Sequence, residues 1–571
     1  MHKSAAVACV GLIGLFASLL YIPFLKNGII FDDQNLFSNQ SIYDFAAIPF
    51  NLNPRTFPYF TLAIVQVIWG NIEAHRLFSL GLHIACAAMV FSLVHALLSD
   101  FLVQDTADPD RNKKNKITFL ALIGATWFVI NPAGIYGAGY LIQRTILFST
   151  LFSLLSLWYF RQAFFRNQLS SIGAAAFFYS LAVFSKEHAV LLPFAALPLA
   201  TFYGYSDISK LVKRAGTYLL LCAPAAIWIV FARTDVIATR YEPDAAGLIH
   251  LIHGIPLLNS RLGQWFVSGV MQAGLFFDYF QYWLVPDVRF MSIDMRLDVD
   301  ALWRAWWFFP KAGLYLVCPL ISLYLIREKG VKAVFGYGLF YAWIIFITEL
   351  VTIRFQEPFV LYRSYLWAPG YVLMLTSALY YLSTRKLLML SIPIIVIFFF
   401  LARERLSSLE SEGTVWQDAA AKLTSQTIVG SGRIFYNRSR FFMREKRYQE
   451  AISDLTKTIS QNPSAYYAYY LRGTAYYFLS ELTEAEADYD QSYKLNSTYG
   501  PAYFGKGLIF ERMGCIEEAA SAYKESLRLG VIVASLKLDN IFQKTKVKEG
   551  SGVSCRRQQL SNLKIRLQRL L

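Results

Sequence analysis

The chain of 571 residues is 56% apolar and only 16% charged, with a mean hydropathy of +0.39. A soluble domain usually carries about a quarter charged residues, so disorder and an ordinary cytosolic enzyme are both excluded. What remains is a polytopic membrane protein with room for a soluble domain, in which a net charge of +15 encodes orientation rather than nucleic-acid binding.

Met1-His2-Lys3 precede an apolar run to Phe24 that lacks a small-residue cleavage site after it. It reads as an uncleaved first helix. A bilayer core takes about 20 apolar residues per helix. Such runs fall near 5–24, 76–98, 117–135, 141–160, 170–186, 188–204, 216–232, 306–326, 333–351, 365–384 and 387–402, which predicts eleven spans. Two further stretches, 57–70 and 263–285, are interrupted by polar residues or glycine and fit an interfacial position. Ser185-Lys186-Glu187 reads as a tight turn between two helices. Trp303 and Trp306-Trp307 read as an interfacial aromatic belt. Cys9, Cys86, Cys222, Cys318, Cys515 and Cys555 have no metal-ligand or redox spacing. They read as packing residues without a disulfide framework.

The basic residues orient this arrangement. With the N-terminus inside, the cytoplasmic segments hold 15 basic and 6 acidic residues, against 14 and 15 in the rest of 1–402. That positive-inside asymmetry, with an odd number of spans, puts the C-terminal domain outside. The expected location is a bacterial inner membrane, with that domain in the periplasm.

From about residue 403 the composition becomes that of a soluble helical domain, and a 34-residue period appears. Ala451, Ala485 and Ala519 share it, as do Leu455, Tyr489 and Tyr523, and Ser439, Gly473 and Gly507. Small and large positions in this register are those of a tetratricopeptide helix–turn–helix, and three repeats suffice for a stacked core. The predicted architecture is all-α: a multi-spanning bundle over 1–402, a helical connector over 403–430, three repeats over 431–530, and capping helices with a basic tail over 531–571. In that tail Leu560, Leu563, Leu567 and Leu570 form one stripe, read as a capping helix, with a membrane-surface helix as the alternative.

Unusual charges gather at the predicted extracytoplasmic ends of the spans. Asp32 and Asp33 follow the first span, Arg55 lies in the same loop, and Arg144, Lys186, Glu187 and Arg363 stand at the ends of later ones. Ionisable groups near a bilayer core are costly unless paired or used. A carboxylate that takes a proton from a hydroxyl, beside cations that stabilise a departing phosphate, suits transfer from a phosphate-linked donor. His250 and His253, with Glu242, offer metal-ligand chemistry but read as an ordinary surface loop, and no metal is assigned.

The ordered set Phe31-Asp-Asp33, Arg55 with Pro58-Tyr-Phe-Thr-Leu-Ala63, Arg76 to His83, Asn131-Pro132, Gln143-Arg144, Ser185-Lys-Glu187 and Tyr362-Arg-Ser-Tyr365 resembles the GT-C glycosyltransferases. Within them it is similar to the branch that carries C-terminal tetratricopeptide repeats, the transmembrane O-mannosyltransferases of eukaryotes and bacterial relatives that glycosylate proteins such as pilins. The resemblance implies an inverting enzyme that uses a polyprenyl-phosphate sugar as donor. Asp32 or Asp33 would be the general base, Arg55, Arg144, Lys186 and Arg363 would face the lipid phosphate, and Glu187 would orient Lys186 or the acceptor. Asn131, Tyr136 and Leu361 depart from the eukaryotic pattern, which puts mannose in doubt and favours the bacterial side.

The repeats would recruit an extracytoplasmic acceptor protein, with Tyr466, Tyr469 and Tyr470 as candidate groove residues. Two other readings stand beside this one: the acceptor is an envelope glycan or lipid, or the protein is a non-catalytic membrane scaffold.

Overall fold

The computed structural model describes residues 3–37, 41–47, 51–103, 111–165, 168–203, 208–235, 237, 239, 249, 252, 254–355 and 357–547. Two compact units divide at Lys422 and Leu423. Both are helical. Among the described residues β-structure is confined to an isolated bridge between Met295 and Phe359.

In the first unit every predicted apolar run is helical, yet their lengths differ from expectation. Among the described residues seven helices are long and apolar enough to cross a membrane, or eight if the bent pair Asn112–Val129 and Pro132–Ala138 is one span. The bend of 49° falls at Asn131-Pro132, where proline lacks the backbone N–H that would continue the helix. Asn131 caps the next turn by accepting from the Ala133 N–H at 3.0 Å. Three expected spans are short: Ser170–Ser185, Glu187–Phe202 and Ala368–Leu379. The first two are separated by the extended Lys186. The third loses its beginning to a 3-10 helix, Leu361–Leu366. Apolar length alone therefore overstated the number of full-length helices.

Burial separates the long helices into two sets. Leu141–Phe165 and Gly330–Leu350 are mostly buried, whereas Ile208–Ala232 is mostly exposed. The outer helices expose large apolar side chains such as Leu220, Phe231, Leu316 and Phe400. At the centre, Gly330–Phe346 crosses Ala368–Leu379 so closely that a Cβ on Gly338 would meet the Gly370 carbonyl at 2.5 Å. Only glycine permits that approach.

Among its described residues the second unit holds three helix pairs: Gly432–Arg444 with Tyr448–Gln461, Tyr466–Phe478 with Leu482–Leu495, and Gly500–Arg512 with Ile516–Arg528, followed by Val533–Val547. The helices begin every 34 residues, in the register read from sequence. Ala451, Ala485 and Ala519 are fully buried, as are Leu455, Tyr489 and Tyr523. The turn inside each pair repeats too: Lys446, Ser480 and Gly514 have φ of 60°, 67° and 77°. Gly507 allows its helix to sit on Tyr523, whose Cε1 a Cβ would meet at 2.5 Å. The expectation for the cysteines is corrected at one position, because Cys515 is disulfide-bonded, while Cys9, Cys86, Cys222 and Cys318 are free thiols. Spacing along the chain carries no information on a pairing made through space. The leucine stripe at 560–570 lies outside the described residues.

Candidate functional site

A cleft of about 250 Å³ in the first unit is lined by Asp32, Arg55, Lys186, Glu187, His188, Arg233, Arg354, Tyr362 and Arg363, with Ile142, Val190, Ile229 and Val230 among its apolar residues. Five cations and two carboxylates therefore share one small space. The clustering follows from how three irregular segments are held.

The first is the loop after the opening helix. Arg76 fixes it by donating to the carbonyls of Asn27, Gly28 and Gly139 at 2.8, 2.6 and 2.7 Å. Asp33 is fully buried and accepts from the backbone N–H groups of Ile142 at 2.8 Å and Leu141 at 3.3 Å. Burial pushes its carboxyl up to about 7, outweighing those hydrogen bonds and the Arg76 charge. Asp33 thus braces the turn at Leu141–Gln143, while its neighbour Asp32 lines the cleft. The Asp32 N–H donates to the Tyr140 hydroxyl at 2.9 Å, and the Tyr140 ring meets Tyr362 edge-on at 6.2 Å.

The second segment is the break at Ser185-Lys186-Glu187. The Arg55 N–H donates to the Phe184 carbonyl at 2.7 Å, which holds Arg55, in left-handed backbone at φ 69°, beside Glu187. Their side chains form a two-bonded pair, with Arg55 Nε donating to Glu187 Oε2 at 3.0 Å. Lys186 is 5% exposed, and its ammonium stands 5.9 Å from the Tyr362 ring centre. It forms no ion pair with any described residue.

The third is the stretch from Glu349 to Arg363. Glu349 is 1% exposed and gathers three groups: Arg363 Nη1 at 3.0 Å, Arg354 Nε at 3.3 Å and His188 Nε2 at 3.0 Å. Side chains of the Arg261–Leu284 helix hold the backbone leading to Arg363. The Tyr279 hydroxyl accepts from the Val360 N–H at 2.7 Å, Gln272 donates to the Pro358 carbonyl at 2.7 Å, and Trp283 donates to Ser364 Oγ at 2.7 Å.

The structure thus brings Asp32, Arg55, Lys186, Glu187 and Arg363 together, and leaves Arg144 apart. Arg144 is fully buried and donates to the His75 and Thr61 carbonyls at 2.8 and 3.1 Å and to Ser79 Oγ at 3.3 Å. It ties the helix Thr56–Trp69 to the helix Ile72–Val103, and the neighbours Gln143 and Thr145 line the cleft in its place. Arg233, Arg354 and Glu349 were missed by sequence reasoning. The signal for Glu349 was present, as an acid at the end of the apolar run 333–351. The departures from the eukaryotic pattern have local roles. Asn131 also donates to the Trp283 carbonyl at 2.9 Å, Tyr136 accepts from Arg405 at 3.3 Å, and Leu361 is buried. His250, His253 and Glu242 lie outside the described residues, and among the described residues no group of three or more His, Cys, Asp or Glu has metal-binding geometry.

In the second unit Tyr466 and Tyr470 pack toward the next repeat, while Tyr469 meets a residue of its own helix. Tyr466 and Tyr470 both meet Tyr499, at 4.8 and 5.6 Å, just before the third repeat begins. Tyr469 lies under the Arg472 guanidinium at 5.6 Å. Arg438 and Arg472 pair with Asp454 and Asp488 in the first two repeats.

Comparison with known proteins recovers these repeats. The tetratricopeptide repeat family model matches residues 466–499. The chain is 37% identical over 95 residues to human tetratricopeptide repeat protein 13, and 30% identical over 92 residues to U-box domain-containing protein 70 of Oryza sativa subsp. japonica. Each match covers 17% or 16% of this chain and 11% of the relative, so the likeness is confined to a short stretch of both partners. Among solved structures, the first tetratricopeptide domain of Spaghetti (RPAP3) bound to an HSP90 peptide is 26% identical, over 20% of this chain and 93% of that one, with a TM-score of 0.19. The Cut9–Hcn1 hetero-tetramer of the APC/C is 12% identical over 89% of this chain and 94% of that one, with a TM-score of 0.23. The chain therefore carries tetratricopeptide repeats, a class of module that binds partner proteins.

Proposed function

We propose that the first unit is a GT-C-type glycosyltransferase that moves a sugar from a polyprenyl phosphate to a hydroxyl of an extracytoplasmic protein recruited by the repeats. The observation that carries the proposal is the cleft itself, where Asp32 stands with Arg55, Lys186, Arg233, Arg354 and Arg363 beside an apolar wall. Asp32 takes the proton of the attacking hydroxyl. Lys186, with no ion-pair partner of its own among the described residues, and Arg363 stabilise the negative charge on the leaving phosphate. Glu187 keeps Arg55 in place. Ile229 and Val230 belong to the outward-facing Ile208–Ala232 helix, which gives an amphiphilic donor a route for its tail alongside lipid.

The apolar outer helices support a membrane location, and the positive-inside distribution supports an inner membrane with the cleft and repeats on the periplasmic side. A disulfide at Cys515 suits an oxidising compartment. Mass spectrometry of intact extracytoplasmic proteins, pilins first, tests the proposal in cells with and without the gene. Loss of a sugar-sized increment from one protein is expected. No change on any protein would favour the second reading, a non-catalytic scaffold, which the repeat matches equally accommodate.

A further inference from the structure

His188 is a cleft residue whose chemistry the transfer scheme above does not use. It is 8% exposed and lines the cleft. Its Nε2 is 3.0 Å from Glu349 Oε1. A carboxylate oxygen only accepts, so the neutral ring places its proton on this nitrogen and leaves the other with its lone pair. That other nitrogen, Nδ1, is buried without a hydrogen-bond partner. Glu187 Oε1, 4.0 Å away, is itself an acceptor and cannot satisfy it. Buried polar atoms are rarely left in that state unless a ligand or water completes them.

The kind of group that would complete Nδ1 follows from the lone pair. A lipid phosphate at neutral pH offers only acceptor oxygens and would be repelled. A hydroxyl donates and would be held. Lys186, Arg55 and Arg363 offer only N–H groups, which suit the phosphate. Beside its N–H donors the cleft thus holds an acceptor nitrogen at His188.

Resting on the glycosyltransferase reading, we propose that His188, oriented by Glu349, accepts a hydrogen bond through Nδ1 from a hydroxyl of the donor sugar, and so recognises the sugar separately from its lipid phosphate. His188 is a ligand-contacting residue here, and Glu349 a positioning residue.

The test measures binding of undecaprenyl phosphate and of undecaprenyl-phosphate glucose and mannose to the full-length protein in detergent, by native mass spectrometry. Wild type is expected to prefer a sugar-bearing lipid. His188→Ala should weaken the better sugar-bearing binder about tenfold, the worth of one hydrogen bond, and leave undecaprenyl phosphate unchanged. His188→Asn, whose amide oxygen can stand near the Nδ1 position, should recover most of the difference and guards against misfolding of the alanine variant. Glu349→Gln should weaken all three lipids, because Arg354 and Arg363 lose their shared carboxylate. Equal losses for bare and sugar-bearing lipid in both His188 variants, or no loss in either, would overturn the inference alone. Failure of wild type to bind any of the three would overturn the glycosyltransferase reading and the inference with it.

Discussion

The two units use buried charge in opposite ways. In the repeats, Arg438–Asp454 and Arg472–Asp488 occur at the same register 34 residues apart, each joining the two helices of one pair. In the first unit the charges come from positions without any period: Asp32, Arg55, Lys186, Glu187, Arg354 and Arg363. They meet only because a loop, a helix break and a 3-10 turn end at the same place. Charge that recurs with the repeat braces the fold, and charge that converges from unrelated segments has to be explained by what it holds. Variants in the two units should accordingly fail differently, the first losing chemistry and the second losing stability.

Asp32→Asn provides the strongest test of that contrast. It should lower sugar transfer by at least about 100-fold, the contribution of a general base, with no change in the unfolding temperature in detergent. Gly507→Ala is its counterpart. The added Cβ would press on the Tyr523 ring at 2.5 Å, and overpacking of this kind costs about 1–3 kcal/mol. Limited proteolysis should show the repeats opening, while lipid binding in the first unit persists.

The pH dependence sharpens the difference between the neighbouring aspartates. The Asp33 carboxyl is raised to about 7, above an ordinary value near ~4, so the folded state binds its proton more tightly than the unfolded chain. Its contribution to stability is complete below about pH 4 and is lost as pH rises through about 7. Asp33→Asn should flatten the stability profile across that window in thermal unfolding. A profile equal to that of wild type would contradict the bracing role. The smallest effect is expected at Ser480, whose φ of 67° suits glycine. Ser480→Gly should stabilise the second repeat by no more than about 1 kcal/mol, read as a small rise in the unfolding temperature.

The repeats were legible because a packed helix pair writes itself into sequence at fixed spacing: Ala451, Ala485 and Ala519 must be small wherever the pair closes. The cleft was partly legible for a different reason. Charges such as Lys186 and Arg363 stand out against apolar surroundings, so their rarity marked them. Rarity gives no direction, however. Arg144 is as unusual in sequence as Arg363, yet it bonds to backbone carbonyls and takes no part in the cleft. Glu349 was hidden inside a run read as a span, although it is the carboxylate that gathers His188, Arg354 and Arg363. The three short helices were read as full spans because hydropathy persists across breaks made by Lys186 and by the turn at Leu361–Leu366.

The central claim, that the cleft transfers a sugar, is tested most directly with purified full-length protein, radiolabelled polyprenyl-phosphate sugars and an extract of extracytoplasmic proteins from cells lacking the gene. Label should appear on protein with wild type and be nearly absent with Asp32→Asn. Equal labelling by the two, or none by wild type with any donor sugar, would contradict the account.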